Sequence, residues 1–501
     1  MRKEFVRPDR SQLAGDDGFR FGHILIRDAA YDSLPKKLRA ELHERFVEWL
    51  EERMGGSAPE EIIGYHLEQA YCYGAELGRV DALLAVRAGR LLAAAGKRAY
   101  ARSDAAATRA LLERAAGLLA DDDPELPSLL DLLGQAVFEA GDLPAALELL
   151  RQAQSAAVSA GQRAVELRAR MGELRISILA NPEQDTEAIL EEAQTAIAEL
   201  TQLNDARSLA RAWHTVGMAR AMRAEMALMG EAEERLLELS RRAGLLREAQ
   251  EAAWELAGSL EFGPVPVAQA IQRVEELLAE FPESDAIESY LAVLYSFAGR
   301  HDEAQDAIDR SRRSLRELGR HIWHAGLSMN AGWIALLGAE PQRVAQDMRE
   351  SAAVLEDAGE SGLRSTVEAV LAEILYELGQ DEEAEERTRR SEQASSAEDV
   401  LSHTLWRATR AKVSARRGEA DEAFRLSAEA VDWARRSDGL PALGDALFAR
   451  AEVLRLLGRD DEARPVLEEA LDVYERKGIV PSIERTRALL GELTAQPPAT
   501  A

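Results

Sequence analysis

Apolar positions recur along this chain with helical spacing, and short polar corners separate the helical stretches. Residues 36–54 show the pattern plainly. Leu38, Leu42, Phe46 and Leu50 fall on one face, expected to point inward, and Arg39, Glu41, Glu44, Arg45 and Glu48 fall on the other. Pro35 precedes this helix and Gly55-Gly56-Ser57 ends it. Pro59 opens the next helix, which runs through Ile62, Ile63, His66, Leu67 and Tyr71. Upstream, residues 1–20 are polar and turn-rich, with Arg7-Pro8-Asp9-Arg10 and Gly15-Asp16-Asp17-Gly18. Phe19-Arg20-Phe21-Gly22-His23 then alternates as a short strand does, and Ile24 to Tyr31 reads as helix.

Further along, one corner is written repeatedly. Gly458-Arg459-Asp460-Asp461-Glu462-Ala463 has copies beginning at Gly141, Gly299, Gly379 and Gly418, and a degenerate one at Gly338-Ala339-Glu340-Pro341. From Gly299 onward the glycines step by 39, 41, 39 and 40 residues. Five residues after the glycine stands Ala146, Ala304, Ala384, Ala423 or Ala463. Seven before it stands Gly134, Ala292, Ala331, Ala372, Ala411 or Ala451. The glycine ends one helix in the left-handed conformation, and the acidic residues after it suit the positive start of the next. A small residue on each helix lets the backbones approach, while Leu447, Leu454 and Leu467 fill the core of the last repeat. A fixed period of this size marks a stacked-repeat architecture.

With its late alanines (Ala153, Ala430 and Ala470), the pattern resembles the tetratricopeptide repeat. That resemblance implies antiparallel helix pairs stacked in a superhelix, with a period near 40 instead of 34 and correspondingly longer helices. The expected fold is therefore all-α, a tetratricopeptide-like solenoid. Helix 80–97 pairs with 104–119 across the glycine-free corner Ala101-Arg102-Ser103-Asp104, and Asp121-Asp122-Asp123-Pro124 separates that pair from the next. Further corners are expected at Asn181-Pro182-Glu183, near Arg223-Ala224-Glu225, and between Gly258 and Pro266, giving nine or ten helix pairs. Phe262-Gly263-Pro264-Val265-Pro266 is the stiffest break; it either bends the superhelix or forms a longer loop.

A second resemblance lies at the N-terminal end. Phe19, Phe21, His23, Arg27, Asp28, Tyr31 and His43, with Leu34-Pro35 and Trp49-Leu50 between and after them, look like a junction in large bacterial regulators. Those regulators fuse a nucleotide cyclase, a P-loop ATPase and a tetratricopeptide array. The resemblance implies a small winged-helix-like remnant, with His23 and His43 each holding a structural hydrogen bond between helix and wing. The family's catalytic domains would lie upstream of Met1, so the chain reads as a C-terminal portion or a stand-alone sensor arm. The expected organisation is a junction module at 1–77, the repeat superhelix at 78–491, and a disordered tail at 492–501.

Composition narrows the chemistry. The net charge of −28 argues against a nucleic-acid surface, which needs a basic stripe. Cys72 is the only cysteine, which rules out an internal disulfide or a cysteine zinc site. No apolar run approaches the ~20 residues of a membrane span, and the start lacks a signal peptide's apolar core, so a cytoplasmic setting is expected. Gly96-Lys97 is followed by Arg98 and has no glycine at the offset a phosphate loop needs. No serine sits on a nucleophile elbow, and Cys72 has no basic cluster beside it. His321 and His324 are spaced as metal ligands can be, but Gly319 separates them from Glu317, so no metal is assigned; Trp323 and Trp333 read as packing residues. His66, His214, His301 and His403 read as isolated. The Glu-Glu pairs read as solvated helix faces, because sequence neighbours do not face each other. The arginines at 310–316, 387–390 and 435–436 either hold an acidic peptide or solvate helix ends, the second reading being favoured.

No catalytic, cofactor or metal site is therefore expected. The leading expectation is a non-enzymatic scaffold whose concave groove takes a protein or peptide, with an ATPase or cyclase module as candidate partner. The alternative is an inducer-binding helical arm of an ATP-dependent transcription activator.

Overall fold

A computed structural model describes residues 5–9, 18–55, 58–102, 104–180, 185–317, 321–338 and 340–495. Ser57, Ser103, Gly319, Ala339, the expected corner at 181–183, residues 10–17 and the tail from Gln496 lie outside these. The chain forms two compact units, residues 1–169 and 170–501.

In the first unit, β1 (Val6–Asp9) pairs antiparallel with β2 (Gly18–Phe21), placing Val6 opposite Phe21 and Pro8 opposite Phe19. The strand at Val6–Asp9 lies in a stretch expected to be turns; its local sequence is polar, and the pairing with β2 makes it a strand. There follow α1 (Ile24–Asp32), α2 (Lys36–Met54), α3 (Glu60–Glu76), α4 (Ala82–Ala101), α5 (Ala105–Ala116), α6 (Leu126–Glu139) and α7 (Leu143–Ser159). Helix α2 has the expected bounds but turns a different face inward. Ala40, His43, Val47 and Leu50 are buried, whereas Leu38 and Leu42 are exposed. Both stripes have helical spacing; contacts of His43 with α1 and α3 select the second.

Helix α8 (Arg163–Ala180) spans the division. The second unit then runs through α9 (Thr186–Leu203), α10 (Ala206–Met222), α11 (Met226–Ala243), α12 (Leu246–Phe262), α13 (Val267–Glu280), α14 (Asp285–Phe297) and α15 (His301–Glu317). It continues with α16 (His321–Gly326), α17 (Ser328–Leu337), α18 (Ala345–Asp357), α19 (Gly362–Glu377), α20 (Asp381–Ala394), α21 (Val400–Arg416) and α22 (Ala420–Ala434). It closes with α23 (Leu440–Leu456), α24 (Asp460–Lys477) and α25 (Val480–Ala495). Antiparallel pairs such as α10/α11, α14/α15, α19/α20, α21/α22 and α23/α24 pack along their lengths, which makes the chain an all-α repeat solenoid. Helix α25 extends to Ala495, past residue 492 where a tail was expected.

The corner glycines explain the pairing. Gly458 takes φ +73°, its N–H bonds Arg455 O at 2.9 Å, and the next N–H bonds Leu454 O at 2.8 Å. These two bonds cap the last carbonyls of α23. Gly299, Gly379 and Gly418 repeat the geometry with φ of +77°, +71° and +78°. Ala463 and Ala451 are fully buried on the facing helices, as are Ala304, Ala292, Ala384, Ala372, Ala423 and Ala411. The corner at 223–225 has the same two bonds, but Ala224 holds the left-handed position at φ +51°. Gly338 differs: its φ is −82°, and a 3-10 turn (Pro341–Arg343) leads into α18. Gly258 lies inside α12 and not at a corner; the turn is Gly263–Pro266, a short one. Among the described residues, no helix is long and apolar enough to cross a membrane.

Candidate interaction surface

In the second unit the first helix of each pair packs against the first helix of the next: α12 on α14, α14 on α17, α17 on α19, α19 on α21 and α21 on α23. Successive second helices are not packed closely on one another. The first helices therefore form the tighter, inner wall of the curve, the surface that solenoids present to partners.

Ionic side chains bridge neighbouring helices along that wall. Lys412 of α21, 4% exposed, donates from Nζ to Glu373 of α19 and lies 3.8 Å from Glu452 of α23. Thr409 Oγ1 donates to the other Glu373 oxygen at 2.7 Å, and Tyr376 Oη donates to Glu452 at 2.5 Å. Burial alone would lower the Lys412 pKa, but Glu373, Glu452 and Glu377 outweigh it and raise it. Burial alone would raise Glu373, and Lys412 with Thr409 brings it below its ordinary value. The ammonium also sits 4.3 Å from the Tyr376 ring centre, and the Arg416 guanidinium 3.4 Å from it.

A second cluster spans α8, α10 and α12. Arg175 Nη1 lies 3.3 Å from His214 Nδ1, and Glu251 lies 3.7 Å from the same nitrogen. Burial, then the Arg175 and Arg211 charges, push His214 down to about 3. The imidazole is therefore neutral near pH 7, and Nδ1 accepts from Arg175. Arg207, Arg211, His214, Glu248 and Glu251 line a crevice between α10 and α12. Burial and the neighbouring Glu251 push Glu255 up to about 7.

Of the four histidines expected to be isolated, three have ring partners or ionic neighbours. His214 is in this cluster, and His403 stacks on Trp433 with ring centres 4.3 Å apart. His66 Nδ1 lies 2.6 Å from His43 Nδ1 in the first unit. His214 and His66 meet these partners across helices, which spacing within one helix could not reveal; His403 also meets Trp406 and Arg407 of its own helix. His324 lies 3.3 Å from both Arg312 and Arg316 instead of joining a metal set. Among the described residues no three His, Cys, Asp or Glu side chains gather as metal ligands. Trp333 packs on Phe262, whereas Trp323 meets Trp254 edge-on and stays 43% exposed. The arginine clusters are mostly paired: Arg310 with Glu288, Arg312 with Asp347, Arg387 with Glu368 and Glu383, and Arg435 with Glu469.

The junction residues divide. Phe19 and Phe21 project from β2 into solvent, Phe19 being 68% exposed. His23 caps α1, its Nδ1 accepting from Leu25 N–H at 3.1 Å, and Arg27 pairs with its neighbour Asp28. Tyr31 and His43 come together, with Tyr31 Oη 2.7 Å from His43 Nε2. His43 thus joins α1, α2 and α3, its two ring nitrogens meeting Tyr31 and His66 of those helices. Burial and then His66 push His43 down to about 4.

The inner-wall ions were missed in the sequence although they carry a signal. Glu373, Lys412 and Glu452 each stand six residues before a corner glycine, Gly379, Gly418 and Gly458, directly after the small residue.

No curated protein sequence matches the chain. Among solved structures, a Rap protein complexed with the competence and sporulation factor is 12% identical, with 74% of this chain and 98% of that one covered, at a TM-score of 0.48. The anaphase-promoting-complex hetero-tetramer Cut9–Hcn1 is 13% identical, with 93% of each chain covered, at a TM-score of 0.47. Yeast Tom70 is 13% identical, with 81% of this chain and 96% of that one covered, at a TM-score of 0.34. Residues 401–476, from α21 through most of α24, match the family described as tetratricopeptide repeat, the repeat whose small-residue and corner pattern the structure displays.

Proposed function

We propose that the chain is a non-enzymatic protein-interaction scaffold whose inner wall of first helices receives a protein segment, as the sensor or effector arm of an ATPase- or cyclase-type regulator. The observation that carries the scaffold reading is the inner wall itself. It is a row of stacked first helices, with the half-buried Glu373 and Glu452 set about Lys412 on three successive ones, which suits recognition of a protein segment. The regulator reading rests on the resemblance of the junction at 19–50 and on what surrounds it. Phe19, Phe21, Ile24, Leu25, Leu38, Leu42 and Trp49 are exposed there, a density of apolar side chains that suits cover by another module.

The test is to purify the chain and an ATPase or cyclase module encoded beside it. Complex formation and a changed turnover of that module are the expected results. Nucleotide turnover by the isolated chain would overturn the scaffold reading. A complex that survives charge reversal at Lys412 and at Arg211 would place the partner away from the inner wall.

A further inference from the structure

In a repeat array each unit touches its neighbours. Among the described residues, side-chain hydrogen bonds at three places in the second unit depart from this, joining positions 211 to 217 residues apart. Thr186 Oγ1, at the start of α9, donates to Glu398 at 2.7 Å. The N–H groups of Met226 and Ala227, at the start of α11, donate to the two Asp438 oxygens at 2.7 and 2.8 Å. Lys477 Nζ, at the end of α24, donates to the carbonyls of Leu260, Gly263 and Val265 at 2.8, 2.7 and 2.8 Å. The first set lies at the corners that lead into α9, α11 and α13. The second lies at the corners that lead into α21, α23 and α25. One edge of the helical ribbon therefore meets the other edge one turn later, at a nearly constant offset. The stiff segment at 262–266 is part of this seam.

We propose that the seam is a latch on the interaction surface: closed, it leaves the inner wall reachable only along the axis of the turn, and open, it admits a partner from the side. This rests on the inner-wall reading given under the proposed function, and it concerns how that surface is regulated. The seam is built to release. Each contact sets a few polar groups at a helix end: the Asp438 carboxylate at the positive start of α11, and the Lys477 ammonium at the negative end of α12. Val480 lies beside Gly299, Val267 beside Gly478, and α12 touches α23. By contrast, helices within a pair pack along their whole length. The small rotation between successive repeats lets loss of the seam spread over the turn without breaking any pair.

The experiment uses the full chain. Asp438→Ala is compared with the parent by hydrogen exchange and small-angle X-ray scattering. The latch predicts faster exchange, by about tenfold, at Met226 and Ala227, at 186–188 and at 263–267 together. It also predicts a larger radius of gyration with unchanged helical circular dichroism. Faster exchange at Met226 and Ala227 alone, with unchanged scattering, is simple loss of a helix cap and overturns the proposal. A second arm guards against misfolding. In a Cys72→Ser background, Thr186→Cys with Glu398→Cys is bridged by a short bis-maleimide. Bridging should slow exchange at 226–227 and 263–267, and no change there would equally overturn it. Neither measurement needs a partner, so a failed capture experiment and a failed latch are separable results.

Discussion

Gly444 of α23 lies against the ring of Tyr474 in α24, so closely that a Cβ at position 444 would stand 2.5 Å from the Tyr474 Cε1 atom. Tyr474 cannot retreat. It is fully buried, and its hydroxyl donates to Asp445 at 2.6 Å. Gly444→Ala should therefore destabilise the second unit by about 1–3 kcal/mol, the usual range for overpacking. Urea unfolding followed by circular dichroism measures it, and an unchanged midpoint would show that α23 and α24 slide apart freely.

Ala224 gives the opposite expectation. It holds a left-handed conformation that its sister corners give to glycine. Ala224→Gly should stabilise by roughly 0.5–1 kcal/mol, the strain relieved exceeding the entropy that glycine adds to the unfolded chain. Gly458→Ala should cost a similar amount. The pair of thermal midpoints should move in opposite directions.

Lys412 holds the inner wall through Glu373. Lys412→Met leaves a carboxylate beneath the groove without its counter-charge, and a loss of about 3–5 kcal/mol follows. Glu373→Gln together with Lys412→Met should recover part of it, which a double-mutant cycle reads. The pH dependence has a definite sign. The raised Lys412 pKa contributes stability fully present below its ordinary value and lost as pH rises through the folded one. The lowered Glu373 pKa contributes stability present above the ordinary carboxylate value and lost as pH falls through the folded one.

His43 and His214 should behave as neutral rings. Their folded pKa values, about 4 and about 3, lie below the ordinary 6.5. Between those values and 6.5 the unfolded chain binds protons that the folded chain does not, so each histidine reduces stability as pH falls through that window. Ring-proton NMR should show neither titrating between pH 8 and pH 5. A midpoint near 6.5 for His43 would mean that the Tyr31 and His66 contacts do not persist in solution.

Much of the fold was legible because its cause is local and repeated. A glycine that must turn left-handed, an acidic start to the next helix and a small residue on each facing helix recur at nearly constant spacing, and so Gly299, Gly379, Gly418 and Gly458 announce the corners. Even the inner-wall ions have a local mark, in the charged position that follows the small residue at 373, 412 and 452.

What the tertiary structure alone decided is which surfaces meet. Two helical stripes compete on α2, and only the packing of His43 against Tyr31 and His66 chooses between them. Val6–Asp9 becomes a strand because β2 lies beside it. Lys477 reads in the sequence as one more charge at a helix end, yet it is fully buried on the end of α12. Its partners lie more than two hundred residues away, and their approach depends on small rotations summed over several repeats. The sequence determined the repeating unit, whose forces act within one corner; the tertiary structure determined the inner wall and the seam, because both arise only when those rotations accumulate.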